Sequence, residues 1–184
     1  LCKEYHVSTS RILSVFGDID YETAKVAKDR VGFGQLKYSR PEIEAVEKAM
    51  KKQYKVKVYD GAKATEYAFH RLSDNCPAIL HISSHGEYKG DSKIGEDEAM
   101  QISVLTLAGS NQTEKPEDED GYVSAADVAS MNLRQCEMAV LSACYTGVGG
   151  QGTDGIFGLQ RGFKNAGVHT LLMSLKSVSD EATY

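Results

Sequence analysis

Ala78-Ile79-Leu80-His81-Ile82-Ser83-Ser84-His85-Gly86 is the stretch from which the rest of the chain can be read. Ala78 to Ser83 is an almost continuous apolar run, too short for an independent helix, and reads as a strand buried on both faces. It stops abruptly in serine, histidine and glycine. A second run, Cys136 to Ser142, is the most apolar strand candidate in the chain and ends in a similar way. It is followed at once by Ala143-Cys144 and a loop with glycines at 147, 149, 150 and 152.

Working outward, Arg11 to Phe16 reads as a short buried strand ending in a turn at Gly17-Asp18-Ile19-Asp20, and the polar stretch up to Tyr38 as an excursion without assigned structure. A helix follows. Ser39 and Glu42 stand at capping-box spacing, Pro41 suits the first turn, and Ile43, Val46 and Met50 recur on one face. Lys55 to Tyr59 alternates as a strand. Ala64 to Ser73 predicts a second helix with Tyr67, Ala68 and Leu72 near one face, and Gln101 to Leu107 another strand. The acidic run Glu114 to Asp120 reads as a solvated loop. Ser124 caps a helix through Met131, Gly155 to Ala166 reads as helical, and Val168 to Leu175 is the last strand. No repeat or linker divides the chain, so residues 1–184 are expected to form a single domain.

Strands alternating with helices call for an α/β fold with a mostly parallel sheet covered on both faces. Ligands of such sheets bind beyond the carboxyl ends of the strands. His85 and Cys144 each fall just past the end of an apolar strand, so parallel neighbouring strands would deliver both to one edge. Alone, a histidine at a strand end is commonly structural and a single cysteine commonly inert; their matching positions are what suggest a site. A thiol attacks as thiolate, and a nearby imidazole can take its proton. Backbone N–H groups near the nucleophile, here those of Gly86 and Cys144, can stabilise the charge that develops on a carbonyl oxygen. The other histidines, 6, 70, 81 and 169, take structural readings, with His81 packed or hydrogen-bonded inside.

Composition narrows the classes. The net charge of −5 gives no footprint for nucleic acid, and no apolar run approaches the roughly 20 residues needed to span a bilayer. Neither nucleic acid nor membrane is expected as a partner. Cys2, Cys76, Cys136 and Cys144 form no Cys-x-x-Cys pair, and no histidine stands at metal-finger spacing, so neither a metal nor another cofactor is expected. A domain of this size needs no disulfide staples, which suits a reducing, cytoplasmic setting. Cys136 reads as a small buried hydrophobe.

These residues also carry a family resemblance. Ile79 through Gly86 resembles the histidine motif of CHAT domains, caspase-like peptidases often attached to TPR repeats. Leu141-Ser142-Ala143-Cys144-Tyr145-Thr146-Gly147 is similar to their cysteine motif. Gly155 to Ala182, with Gly158-Leu159, Phe163, Ala166-Gly167 and Ser174-Leu175, resembles the segment after that cysteine. Gly17 through Tyr21 and Leu36 through Ile43 fit the family's opening. The resemblance implies a caspase-like three-layer sandwich, distantly akin to caspases and separases. It implies hydrolysis of peptide bonds through an acyl-enzyme, with His85 as general base and Cys144 as nucleophile. By the same resemblance, Asp20, Asp154 and Asp180 are candidates to receive a basic P1 side chain. A protein or peptide would be the substrate, and a regulatory partner such as TPR repeats, or processing, would control the site. The family carries a tryptophan where Lys176 stands here, and it continues beyond Tyr184, so the chain is expected to lack a C-terminal segment of the domain.

Two rivals remain open at this point. Gly147-Val148-Gly149-Gly150-Gln151-Gly152 is a literal Gly-x-Gly-x-x-Gly, a nucleotide-binding pattern when it follows a strand and opens a helix. Alternatively, the fold could serve as a catalytically silent interaction module. Control of the site is expected in the two polar loops, Gly86 to Met100 and Gly109 to Tyr122.

Overall fold

The structure, a computed structural model, describes residues 7–21, 32–88, 96–112, 119–143, 151–152, 155–156 and 158–174. In chain order the elements are β1 (Ile12–Ile19), α1 (Ser39–Met50), β2 (Lys55–Gly61), α2 (Glu66–His70) with a 3₁₀ turn at Arg71–Ser73, β3 (Ile79–Ser83) and β4 (Gly86–Tyr88). Then come α3 (Glu96–Ile102), β5 (Ser103–Thr106), β6 (Tyr122–Ser124), α4 (Ala125–Ser130) and β7 (Met138–Ser142). The last are β8 (Gln151–Gly152), β9 (Gly155–Ile156), α5 (Leu159–Ala166) and β10 (Thr170–Met173).

Five strands form one parallel sheet in the order β10-β7-β3-β1-β2. The two runs singled out in the sequence, β3 and β7, are direct neighbours. Alternation sends side chains to two differently furnished faces. Leu13 and Val15 of β1 pack with Ile43 of α1, flanked by Val46, Met50, Val56, Val58 and Ile79. On the opposite face Phe16, Leu80, Ile82, Ala139 and Leu141 meet Phe69 of α2, Val128 of α4 and Phe163 of α5. Phe16 stacks on Tyr59 at 4.4 Å between ring centroids and meets Phe69 edge-on at 5.6 Å. Helices therefore cover both faces, the three-layer arrangement expected of a caspase-like fold. Two glycines set the closest approaches. A Cβ on Gly162 would stand 2.5 Å from the Ala125 carbonyl oxygen, and one on Gly17 2.4 Å from Ile43 Cγ2. The α4–α5 and β1–α1 contacts thus depend on the missing side chains.

Several local expectations are corrected. The predicted turn at Gly17–Asp20 is instead the end of β1, which runs on to Ile19 with a register shift between Gly17 and Ile19. Asp18 takes φ 48° there, left-handed for a non-glycine residue. The expected capping box of α1 does not form: Tyr38 is the N-cap and makes no side-chain hydrogen bond. Tyr67 is exposed, and Glu66, Phe69 and Leu72 are the buried residues of the second helical segment. Gly155–Ile156 is a strand, so the last helix begins at Leu159. The predicted cap at Ser124 is present, and Asp127 makes it a full capping box.

A small antiparallel sheet, β4-β5-β6, was not foreseen. It converts the start of one polar loop, Gly86–Tyr88, into a strand, while α3 (Glu96–Ile102) ends that loop and takes Gln101 and Ile102 from the predicted strand, which begins only at Ser103. Among the described residues no helix is long and apolar enough to cross a membrane.

Candidate active site

The register of β3 and β7 sets the geometry of the edge. Ser83 is opposite Ser142, and Ser84 N–H donates to the Ser142 carbonyl at 3.3 Å. Both strands run in the same direction, so both leave the sheet at its carboxyl edge. His85 lies two residues beyond Ser83, and Ala143, buried, one residue beyond Ser142. Cys144, Asp154 and Asp180 lie outside the described residues, as do Lys176 and glycines 147, 149 and 150.

His85 is fixed through its backbone. Its N–H donates to the Tyr21 hydroxyl at 3.3 Å. Its carbonyl accepts from Thr106 N–H at 3.0 Å, the Thr106 hydroxyl at 3.2 Å and the Ser84 hydroxyl at 3.0 Å. The ring packs against both Tyr21 and Phe33, at centroid distances of 5.1 and 5.2 Å. Its Nε2 is 2.7 Å from the Gly34 carbonyl oxygen. A carbonyl only accepts, so Nε2 carries a hydrogen, and in the neutral ring the lone pair belongs to Nδ1. Among the described residues nothing hydrogen-bonds Nδ1. The imidazole can therefore take a proton at Nδ1, while Gly34 fixes the ring's orientation.

Gly86 is buried in β4 opposite Leu105. The Thr106-to-His85 bond makes Gly86–Leu105 a non-hydrogen-bonded pair, whose N–H groups point away from the partner strand. The ladder leaves the Gly86 N–H available, as an oxyanion donor requires. Asp20 stands at the same edge just past β1, half-buried. Its N–H bonds the Gly61 carbonyl at 3.3 Å and its carbonyl accepts from Gly109 N–H at 3.0 Å. Next to it, Arg40 pairs with Asp18 and, at 3.1 Å, with Asp60.

Below this edge, on the α1 face, lies a polar cluster that sequence reasoning assigned to capping. Glu42 and His81 are each only 7% exposed. Glu42 Oε1 is 3.0 Å from His81 Nε2, and Glu42 Oε2 accepts from the Ser83 hydroxyl at 2.7 Å. Burial alone would push the Glu42 carboxyl up. Hydrogen bonds from His81 and Ser83, the His81 charge and the Ser142 hydroxyl outweigh it and hold the group below its ordinary value. Ser142 Oγ, buried beside the same carboxylate, meets no partner at hydrogen-bond geometry among the described residues. Ser39, the other half of the expected box, accepts from Asp18 N–H at 2.8 Å and faces the Ser83 carbonyl at 3.4 Å. Tertiary partners at the strand ends have taken both capping residues. His81 is thus the hydrogen-bonded interior residue that the sequence suggests.

Cys136 lies just before β7, at the opposite end of that strand from the edge. Burial drives the Cys136 thiol up to about 12 and raises that of the half-buried Cys76, so neither supplies thiolate at neutral pH. Cys2 lies outside the described residues. The glycine-rich pattern ends in β8, which pairs antiparallel with β9, and α5 starts only at Leu159. It does not open a helix, which is the context that nucleotide binding by this motif requires.

Gly34, Tyr21 and Phe33 act on His85 from sequence distances that no spacing rule spans. Gly34 and Phe33 lie in the irregular 32–36 stretch and show no sequence signal of this role. Tyr21 stands in the opening segment whose resemblance was noted, the one hint available.

The CHAT domain family model matches residues 3–184. No curated protein gives a significant match to the chain.

Proposed function

The chain belongs to the CHAT domain family, and from that premise we propose that it is a cysteine endopeptidase in which His85 is the general base and Cys144 the nucleophile. The observation that carries the reading is the in-register parallel pairing of β3 and β7, Ser83 opposite Ser142. Each proposed catalytic residue lies two positions past its member of that pair. Nδ1 of His85, the nitrogen not committed to Gly34, takes the thiol proton as sulfur attacks the substrate carbonyl. The N–H groups of Gly86 and Cys144 stabilise the developing oxyanion. The imidazolium then returns its proton to the leaving amine, and water, deprotonated by the same ring, releases the acyl group from sulfur.

Asp20, Asp154 and Asp180 are the carboxylates proposed to receive a basic P1 side chain, since a pocket carboxylate is stable when a cation pairs with it. Control by a partner such as TPR repeats, or by processing, is part of the same proposal. The chemistry needs a reduced thiol, in keeping with a cytoplasmic setting.

The test is the pH profile of iodoacetamide alkylation at Cys144, read by mass spectrometry in the wild-type chain and in His85→Ala. This readout needs no substrate and no activator. A dyad gives alkylation that persists well below the ordinary thiol range near 8.5, and the variant loses that acid limb. Identical profiles, both following an ordinary thiol, would favour the silent interaction module instead. Cleavage of arginine- and lysine-containing peptides, abolished in Cys144→Ala, then tests the specificity.

A further inference from the structure

The hydrogen bond that fixes His85 is donated by the ring to a carbonyl in an irregular stretch, and something must hold that carbonyl in place. Asn111 is only 5% exposed. Its Oδ1 accepts from Phe33 N–H at 2.8 Å, and its Nδ2 donates to the Phe33 carbonyl at 2.9 Å. One side-chain amide thus satisfies both backbone groups of the residue preceding Gly34. Asn111 N–H also donates to the Tyr21 carbonyl at 3.2 Å. Both aromatic residues that pack against the His85 ring, and the peptide next to its acceptor, are tied to this single asparagine.

The platform carrying Asn111 is itself anchored. Leu107 N–H bonds the Gly121 carbonyl at 2.7 Å, Ala108 N–H the Ala64 carbonyl at 2.9 Å, and Gly109 N–H the Asp20 carbonyl at 3.0 Å. A turn asparagine would ordinarily face water. This one is buried at the edge where β1 ends, with its amide used on both sides.

We infer that Asn111 is a positioning residue for the proposed peptidase: it clamps the peptide at Phe33 so that the Gly34 carbonyl takes the Nε2 hydrogen of His85 and Nδ1 stays free to accept the proton of Cys144. The inference rests on the proposed function for its consequence, but not for its geometry. The tautomer of His85 can be read without any activity.

The experiment uses the whole chain with ¹⁵N-labelled histidine and compares wild type, Asn111→Ala and Asn111→Asp. The ring nitrogens of His85 are followed by NMR and assigned with His85→Ala. The wild type is expected to show a protonated Nε2 and a bare Nδ1. Asn111→Ala should mix the two tautomers and slow Cys144 alkylation at pH 6 by about 10- to 100-fold, the scale of a small misplacement of a catalytic group. Asn111→Asp keeps the acceptor for Phe33 N–H but loses the donor, and should fall between. It also decides the matter if the alanine variant does not fold. The His81 resonances, from the far side of the sheet, report that the fold is intact. A folded variant that keeps the wild-type tautomer and alkylation profile overturns the inference. A tautomer that shifts with Asn111 while Cys144 behaves as an ordinary thiol in every chain upholds the clamp and sinks the peptidase reading.

Discussion

His81 and His85 are four residues apart on one run of chain, and the fold uses them in opposite ways. His81 lies within β3 on the α1 face, with its Nε2 against the Glu42 carboxylate and almost no exposure. His85 has left the strand, is half-buried, and its Nε2 meets a backbone carbonyl. A buried carboxylate commits its histidine: removing the ring would leave a charge in the interior with too few donors. A carbonyl fixes tautomer and orientation without carrying a charge, and the other nitrogen can exchange a proton. The partner, more than the residue type, separates a structural histidine from one equipped to act as a base.

Exchanging the consequences of the two histidines is the sharpest way to break this contrast. His85→Ala should lower peptide cleavage, or Cys144 reactivity at mildly acidic pH, by about 10²–10⁴-fold, while urea melts stay near wild type. His81→Ala should do the reverse. It strips the buried Glu42 of its main donor and should cost about 3–5 kcal/mol of stability, with activity per folded molecule retained. If His81→Ala instead removes activity from a fully folded chain, the two histidines are not divided as described.

Glu42→Gln tests the carboxylate side of the same contrast and should cost about 2 kcal/mol at neutral pH. Its signature is in acid. The folded-state pKa of Glu42 is depressed, so its charge stabilises the fold fully above the unfolded value, about 4.3. That contribution is lost as pH falls through the lower, folded value. Wild-type melting temperatures should therefore drop in this window more steeply than those of Glu42→Gln. Parallel curves would mean that the carboxylate is not held ionised by His81 and Ser83.

The same contrast shows what could be read in advance. β1, β3 and β7 were legible because strands buried on both faces are written as apolar runs, and His85 was legible because it closes one of them. Ser39 and Glu42 were misread for a physical reason: their spacing fits a local cap, but the strand ends of β1 and β3 offer better partners, and tertiary contacts won. β4 and β6 are three residues each and exist only through pairing with β5, which no local pattern records. Gly17–Asp18 reads as a turn because glycine and aspartate favour one, yet pairing with β2 carries the strand through a bulge. Gly34 and Asn111 were invisible because one contributes a backbone carbonyl and the other an amide spent on backbone, and such roles leave little mark on residue type. The β3–β7 edge was foreseen from topology alone.

The smallest effect concerns how Glu42 joins the two strands of that edge. Ser83 Oγ donates to the carboxylate, whereas Ser142, opposite it in the register, has a buried hydroxyl beside the same group that meets no partner at hydrogen-bond geometry among the described residues. Losing the Ser83 hydroxyl would normally cost about 1.5–3 kcal/mol for a hydrogen bond to a charge. Here Ser142 can rotate to replace it, so Ser83→Ala should cost only about 1 kcal/mol. Ser142→Ala alone should cost less than that, because its hydroxyl reaches the carboxylate without the geometry of a full hydrogen bond. The double variant should then exceed the sum of the two single costs by at least about 0.5 kcal/mol, the sign of residues sharing one partner. Strict additivity in urea melts would show that the two hydroxyls do not compete for Glu42. The carboxylate would then brace β3 alone, leaving the backbone register to align the two strand ends.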